Sequence, residues 1–385
     1  MGTDSTRARR VVVRRGGPRL SVVAGVAIVA TSLGLLPGCS LYRAVFHPRA
    51  GGSIAEEQDR SLRPVPPGSA TAATPHLTAM DEIAPAPSTT VAGGGAPFAI
   101  TLGPDSNLWF TEFQAHIIGR ITQRGEVAIF PLKSGGVPER LIAGPDGAIW
   151  FTDPAANRIG RMARDGAIAY VPLRTPKSGP AGITLGPDDN LWFTEHAAGQ
   201  IGKVTPLGTV TEYALPDPGG PAGIAAMRNG DLYFAENSGN RIDRMTAQGR
   251  VDEFRLPHPN SVPNGIVQGP DGNLWFTEIG AGRVGRLTPD GDMVEFSLPA
   301  RGVPLGIVAG EDGGVWVTVP VAHAICRIGT EGHASAFFLP ETVIPTFLAV
   351  GADGNLWFTE PNGRIGRFTA GGRFTEFPAT SPVSG

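Results

Sequence analysis

The run Gly269-Pro270-Asp271-Gly272-Asn273-Leu274-Trp275-Phe276-Thr277-Glu278 decides the fold. Its first half joins the fixed φ of proline to the positive φ that glycine tolerates, which folds the chain into a tight turn. Leu274 to Glu278 then alternates in character, as a strand does. The run recurs with an aromatic at Trp109, Trp150, Trp192, Tyr233, Trp275, Trp316 and Trp357, spaced 41 or 42 residues apart, and all six tryptophans of the chain are in this set. A repeat of that length, built from short strands, predicts propeller blades, and seven copies predict a closed ring.

Working outward from the aromatic, a proline stands 12 residues before it in every copy: Pro97, Pro138, Pro180, Pro221, Pro263, Pro304 and Pro345. A short apolar segment such as Gly265-Ile266-Val267 follows the proline, then the turn and the aromatic strand. Beyond a loop come Val284-Gly285-Arg286-Leu287 and, after another turn, Met293 to Leu298. These are four antiparallel strands per blade, A to D from the inside out. No stretch of the repeat has helical apolar spacing, so the fold class is all-β, a seven-bladed β-propeller over residues 93–378 with a short tail at 379–385. Two segments compete for the outer edge of the last blade, Arg373 to Phe377 and Met80 to Ile83, and the C-terminal one is preferred. The D–A and B–C loops share one face of the disc and differ most between blades, which makes that face the expected binding face.

The N-terminus reads as a targeting segment. Arg7, Arg9, Arg10, Arg14, Arg15 and Arg19 precede 17 uncharged residues, Leu20 to Leu36, and then Pro37-Gly38-Cys39. This resembles a bacterial lipoprotein signal over residues 1–38, with Cys39 as the lipidated residue; an uncleaved signal anchor is the other reading. Residues 39–92 are rich in Pro, Ala, Gly, Ser and Thr and read as a flexible linker. The expected location is extracytoplasmic, anchored to the cell membrane. Residues 1–38 carry a net +5, which leaves −8 on the remainder of a chain of formal net charge −3. So acidic a domain makes a poor nucleic-acid binder. With two cysteines in all, one of them Cys39, no disulfide framework is expected, and Cys326 reads as a small buried filler where other blades carry glycine. A monomer is expected.

Chemistry-bearing residues are sparse. An acid follows the aromatic by three residues in six blades, as Glu112, Asp153, Glu195, Glu236, Glu278 and Glu360, with Val319 in the sixth. A ring of carboxylates around a channel could hold a hard cation, Mg²⁺ or Ca²⁺, and Glu195, Glu236, Glu278 and Glu360 are the candidate ligands. The competing reading is structural. Strand C carries Arg120, Arg161, Lys203, Arg244, Arg286, Arg327 and Arg367, and acid–base pairs across the B–C hairpin would account for both rings. His196 and His258, on loops of the expected binding face, are the candidate acid–base groups. Glu139 and Arg140 replace small or apolar residues after Pro138, and with Asn264 they are the candidate ligand-contacting residues at the mouth of the channel. The ligand class stays open at this point: small molecule, peptide, protein or glycan.

The runs Leu191-Trp192-Phe193-Thr194-Glu195 and Asn273 to Glu278, with Ile-Gly-Arg-Ile segments after the aromatic strands, are similar to the virginiamycin B lyase family across all seven blades. That resemblance implies a carbon–oxygen lyase that uses Mg²⁺ to open streptogramin B type cyclic depsipeptides by elimination. It also implies a site on the D–A and B–C loop face, with a Pro-His-Gly-Ile or Pro-His-Ala-Ile sequence opening strand A in two adjacent blades and a glutamate two residues before the base. Here the residues after the seven prolines are Phe98, Glu139, Ala181, Ala222, Asn264, Leu305 and Thr346, none of them histidine, and none of the residues before the prolines is glutamate. The expectation is therefore a binding or interaction module, with the Mg²⁺-dependent lyase as the alternative.

Overall fold

A computed structural model of the chain describes residues 9–11, 64–65, 82–83, 95–112, 114–132 and 135–379; Cys39 and the signal segment around it lie outside them. The repeats form seven antiparallel sheets in which strands A to D of one blade follow one another in sequence. Blade 1 is Ile100–Leu102, Leu108–Glu112, Ile117–Ile121 and Val127–Pro131, and blade 7 is Leu348–Val350, Leu356–Glu360, Arg364–Phe368 and Phe374–Pro378. A single 3₁₀ turn, Pro320–Ala322, is the one helical element among the described residues.

The C-terminal segment closes the last blade, since Phe374–Pro378 pairs with Arg364–Phe368. Its competitor does something else: Glu82–Ile83 pairs with Ala167 and Ile168 on the outer edge of blade 2. Every blade is thus made from one repeat, and closure must come from contacts between blades.

Those contacts run through the threonine of the aromatic strand. Thr359 Oγ1 accepts from Phe347 N–H at 3.2 Å and donates to the Phe98 carbonyl of blade 1 at 2.6 Å. Thr111, Thr152 and Thr194 repeat the rung, donating to Glu139, Ala181 and Ala222 carbonyls at 3.0, 2.9 and 2.7 Å. Thr318 donates to the Thr346 carbonyl, and Thr277 reaches Leu305 at 3.5 Å. Blade 4 carries Ala235 instead, and at that junction the Asn237 carboxamide donates to the Pro263 carbonyl.

The aromatic strand is buried on both faces in every blade, although its pattern alternates. Blades pack face to face, so each side of strand B meets a neighbour. Trp275 Nε1 donates to Asp271 of its turn at 3.0 Å, and the same bond joins Trp109 to Asp105 and Trp357 to Asp353. Where Tyr233 replaces tryptophan, the turn position holds Asn229. The strand-C glycine is required by packing, because a Cβ on Gly285 would enter the ring of Phe276. Blade 6 places Cys326 opposite Val317, whose smaller side chain leaves room for the thiol. Burial pushes that thiol up to about 12, so it is an inert core group.

The register overturns the expected acid–base pairing across the hairpin. Arg286 stands opposite Trp275, and Glu278 stands opposite Arg283. The strand-C bases instead meet the A–B turn aspartates at the other end of the strand: Arg120–Asp105 at 3.4 Å, Arg161–Asp146 at 2.5 Å, Lys203–Asp188 at 3.6 Å and Arg327–Asp312 at 2.5 Å. Arg244 turns to Asp252 at 2.6 Å, and Arg367 donates to the Gln123 carbonyl at 3.0 Å.

Candidate functional site

Strand A of each blade starts at the loop face and runs along the axis. The residues just after the prolines, Phe98, Glu139, Ala181, Ala222, Asn264, Leu305 and Thr346, are all buried there. Inside them is a cavity of about 160 Å³, bounded by strand-A residues of all seven blades. Gly182, Gly223, Gly265 and Gly306 occupy the next position in blades 3 to 6, where a Cβ would press on the backbone carbonyl of the following blade. Blades 7, 1 and 2 carry Phe347, Ala99 and Arg140 at that position, so one arc of the hub is tight and the other holds side chains.

The candidate ligand-contacting residues separate here. Arg140 and Asn264 line the cavity, and Glu139 does not. The Arg140 guanidinium lies 3.9 Å from the centroid of the Phe347 ring and 5.3 Å from that of Phe98, and those two rings meet edge to face at 4.6 Å. Neither phenylalanine stands out in the sequence, yet Phe98 and Phe347 are the sole aromatics at their hub positions. The Asn264 residue is 4% exposed, and among the described residues its carboxamide makes no hydrogen bond. Thr346, by contrast, is tied to Thr359 through its hydroxyl at 2.7 and 2.8 Å.

The six strand-B acids are fully buried, one in each blade except blade 6, where Val319 takes the position. Asp153 is anchored by Arg158 at 2.8 Å and by the Val137 and Ala156 N–H groups at 3.1 and 3.2 Å. Glu236 has Arg241 at 3.8 Å, in a buried group where Arg241 also meets Asp243 and Asp217 at 2.9 and 3.0 Å. No cation stands within salt-bridge reach of Glu112, Glu195, Glu278 or Glu360 among the described residues, and both oxygens of the first three lack well-formed hydrogen bonds. Burial pushes Glu112 and Glu278 up to about 7 and Glu195 and Glu360 up to about 8. It also holds Glu236 well above the usual carboxylate range. Each acid lies under its own D–A loop: a Cβ on Gly95 would strike the Glu112 carboxyl, and one on Gly219 would strike Glu236. Among the described residues no group of three or more His, Cys, Asp or Glu side chains is placed to hold a metal ion, so Glu195, Glu236, Glu278 and Glu360 are not brought together.

The loop histidines have local partners. His196 Nδ1 is 3.2 Å from the Pro221 carbonyl, and its ring lies against Gly220. His116 and His323 occupy the positive-φ turn position that Asn157, Gly199, Asn240, Gly282 and Gly363 fill in other blades. Their Nδ1 atoms bind the Gly136 and Val343 carbonyls at 2.9 and 3.0 Å. His258 sits half-exposed against Glu295 of strand D and Arg283 of strand C, on the rim of the disc rather than at its axis.

Against this geometry, a model of the virginiamycin B lyase family matches residues 85–222 and 218–384. A streptogramin B lyase structure is 34% identical, covers 75% of this chain and 95% of its own, and has a TM-score of 0.67. Virginiamycin B lyase from Staphylococcus aureus is 33% identical over 75% and 98% of the two chains, with a TM-score of 0.68. A catalytically inactive histidine-to-alanine variant of the Staphylococcus aureus enzyme, with quinupristin, is 32% identical over 75% and 97%, with a TM-score of 0.66. No match was found among curated proteins. The chain belongs to the virginiamycin B lyase family.

Proposed function

We propose that this chain is a binding propeller, held outside the bacterial membrane by lipidated Cys39, whose ligand site is the hub cavity and the loop face around it. The observation that carries this is the composition of the hub. None of the seven positions after the prolines is a histidine, and the Asn264 side chain on the cavity wall makes no hydrogen bond among the described residues. Proton abstraction beside an ester carbonyl needs a base within reach of the substrate. The loop histidines are instead bonded to backbone carbonyls of neighbouring loops or placed on the rim. The donor set does not fit a Mg²⁺ ion either, because octahedral coordination needs converging oxygens, and among the described residues no three His, Cys, Asp or Glu side chains converge. Tethering is supported by the arginine-rich, apolar and Gly-Cys order of residues 7–39. No helix among the described residues is long and apolar enough to cross a membrane.

The lyase reading is favoured by one observation, identity of 32–34% over nearly the whole length of the streptogramin lyases. Thermal unfolding with excess Mg²⁺ or Ca²⁺ separates the two. An ion bound at a hundred times its dissociation constant adds about 2.7 kcal/mol. A binding propeller with uncharged buried acids shows no cation-specific rise in midpoint. A rise with Mg²⁺ alone would favour the lyase.

A further inference from the structure

The described residues before Gly95 fall in three short pieces, and each lies along the outer edge of a blade. Glu82–Ile83 pairs with strand D of blade 2, Ala167–Pro172, with Ile83 opposite Ala167 and Glu82 opposite Ile168. Pro64 bridges Tyr213 in strand D of blade 3, Val210–Ala214, and the Val65 N–H donates to the Glu212 carbonyl at 2.7 Å. Arg9–Val11 pairs with Ala336 to Phe338 of blade 6, but it precedes Cys39, in the segment that a lipoprotein signal would shed. The other two pieces have sequences suited to an edge. Val65 turns its N–H to blade 3, so the next backbone nitrogen outward is that of Pro64, which has no hydrogen to donate. Pro66 and Pro67 follow, also without donors. A strand of this composition pairs on one side and recruits poorly on the other. On blade 2, Ala167 is 4% exposed beneath Ile83. Its counterparts at the start of strand D in the other blades are Glu126, Thr209, Arg250, Asp292, His333 and Arg373, all polar. Blade 2 alone carries a small apolar residue there. The family model begins at residue 85, so both pieces lie outside the stretch that matches.

We propose that the outer edges of blades 2 and 3 are docking surfaces for the chain's own N-terminal segment, with Pro64–Val65 and Glu82–Ile83 as two clasps that hold the propeller by its rim. The expected flexible linker is fastened at these positions, and the two edges are closed to strands from other chains. One consequence rests on the lipid-anchor reading above: the free tether shortens to residues 40–63, 24 in number, and it leaves from the rim at blade 3, which keeps the loop face open.

Hydrogen exchange on the full chain, read by mass spectrometry, tests the blade 3 clasp. Pro64, Pro66 and Pro67 contribute no amide, so Val65 reports alone among residues 64–67. Its exchange is expected to be at least about tenfold slower than in the urea-denatured chain. The blade 2 clasp is tested by Ile83→Cys with Ala167→Cys, since directly opposed residues of an antiparallel pair have Cα atoms about 4.5–5.5 Å apart, within disulfide reach. Mild oxidation should join them, whereas Ile83→Cys with Asp292→Cys, the counterpart on blade 5, should stay unjoined. Val65 exchanging at the denatured rate, or Ile83→Cys joining blade 5 as readily as blade 2, would overturn the inference. Neither readout needs the lipid, and Cys39→Ser is expected to keep both clasps. Clasps that persist in a chain found to carry no lipid support the inference and remove the anchor; clasps absent from a lipidated chain remove the inference and leave the anchor.

Discussion

Five glutamates end the aromatic strands with their carboxyls buried, and four of them have no cation in salt-bridge reach among the described residues. A group in that setting is kept by holding its proton. In the unfolded chain these acids titrate near 4.5, and in the fold Glu195 does so at about 8. Below the unfolded value both states are protonated, and the group's contribution to stability is fully present. Between there and about pH 8 the unfolded chain gives up a proton that the fold retains, so stability falls as pH rises. Raising the pH from 5 to 8 should therefore lower the denaturation midpoint. Glu195→Gln should reduce that slope and gain stability at pH 8, by an amount on the order of 1–3 kcal/mol. A wild-type midpoint that is flat or rises across this window would show the carboxyls to be charged and partnered.

At the scale of the strand, the period makes the blade grammar legible, because turn, aromatic and proline recur at fixed offsets. Register is not legible in the same way. The sequence spacing suggests that Glu278 and Arg286 face one another, but they lie three rows apart in the hairpin. Three residues along a strand reverse the face and advance the chain by about 10 Å. The acid and base rings therefore serve opposite ends of the blade. The threonine between aromatic and acid gives no signal of its own, because a hydroxyl in an alternating run reads as ordinary strand content. Its role appears only when the next blade is in place. Thr359→Val keeps the shape of strand B but removes the rung that joins the last blade to the first. It should cost about 1–3 kcal/mol in urea denaturation by leaving the Phe98 carbonyl short of a donor. Thr277→Val, whose contacts are 3.5 Å long, should cost less. Equal and negligible losses would show that packing alone closes the ring.

For the whole molecule, composition and repeat are enough to give the ring and its loop face, and the hub positions show where the chain departs from the lyase pattern. The site itself is less legible. Arg140 and Asn264 lie in different blades, 124 positions apart in sequence, and only closure places them on one cavity. Phe98 and Phe347 come together from the two ends of the repeat for the same reason. Family membership is thus firm, while none of the residues after the seven prolines is a histidine; function resides in a site rather than in a fold. The most direct test is to incubate the purified chain with quinupristin and excess Mg²⁺ and follow the cyclic depsipeptide by chromatography, since elimination opens the ring without changing its mass. A binding propeller returns quinupristin intact at every time point. Steady conversion to a linear isomer, lost in His196→Ala, would contradict it and establish a lyase with a relocated base.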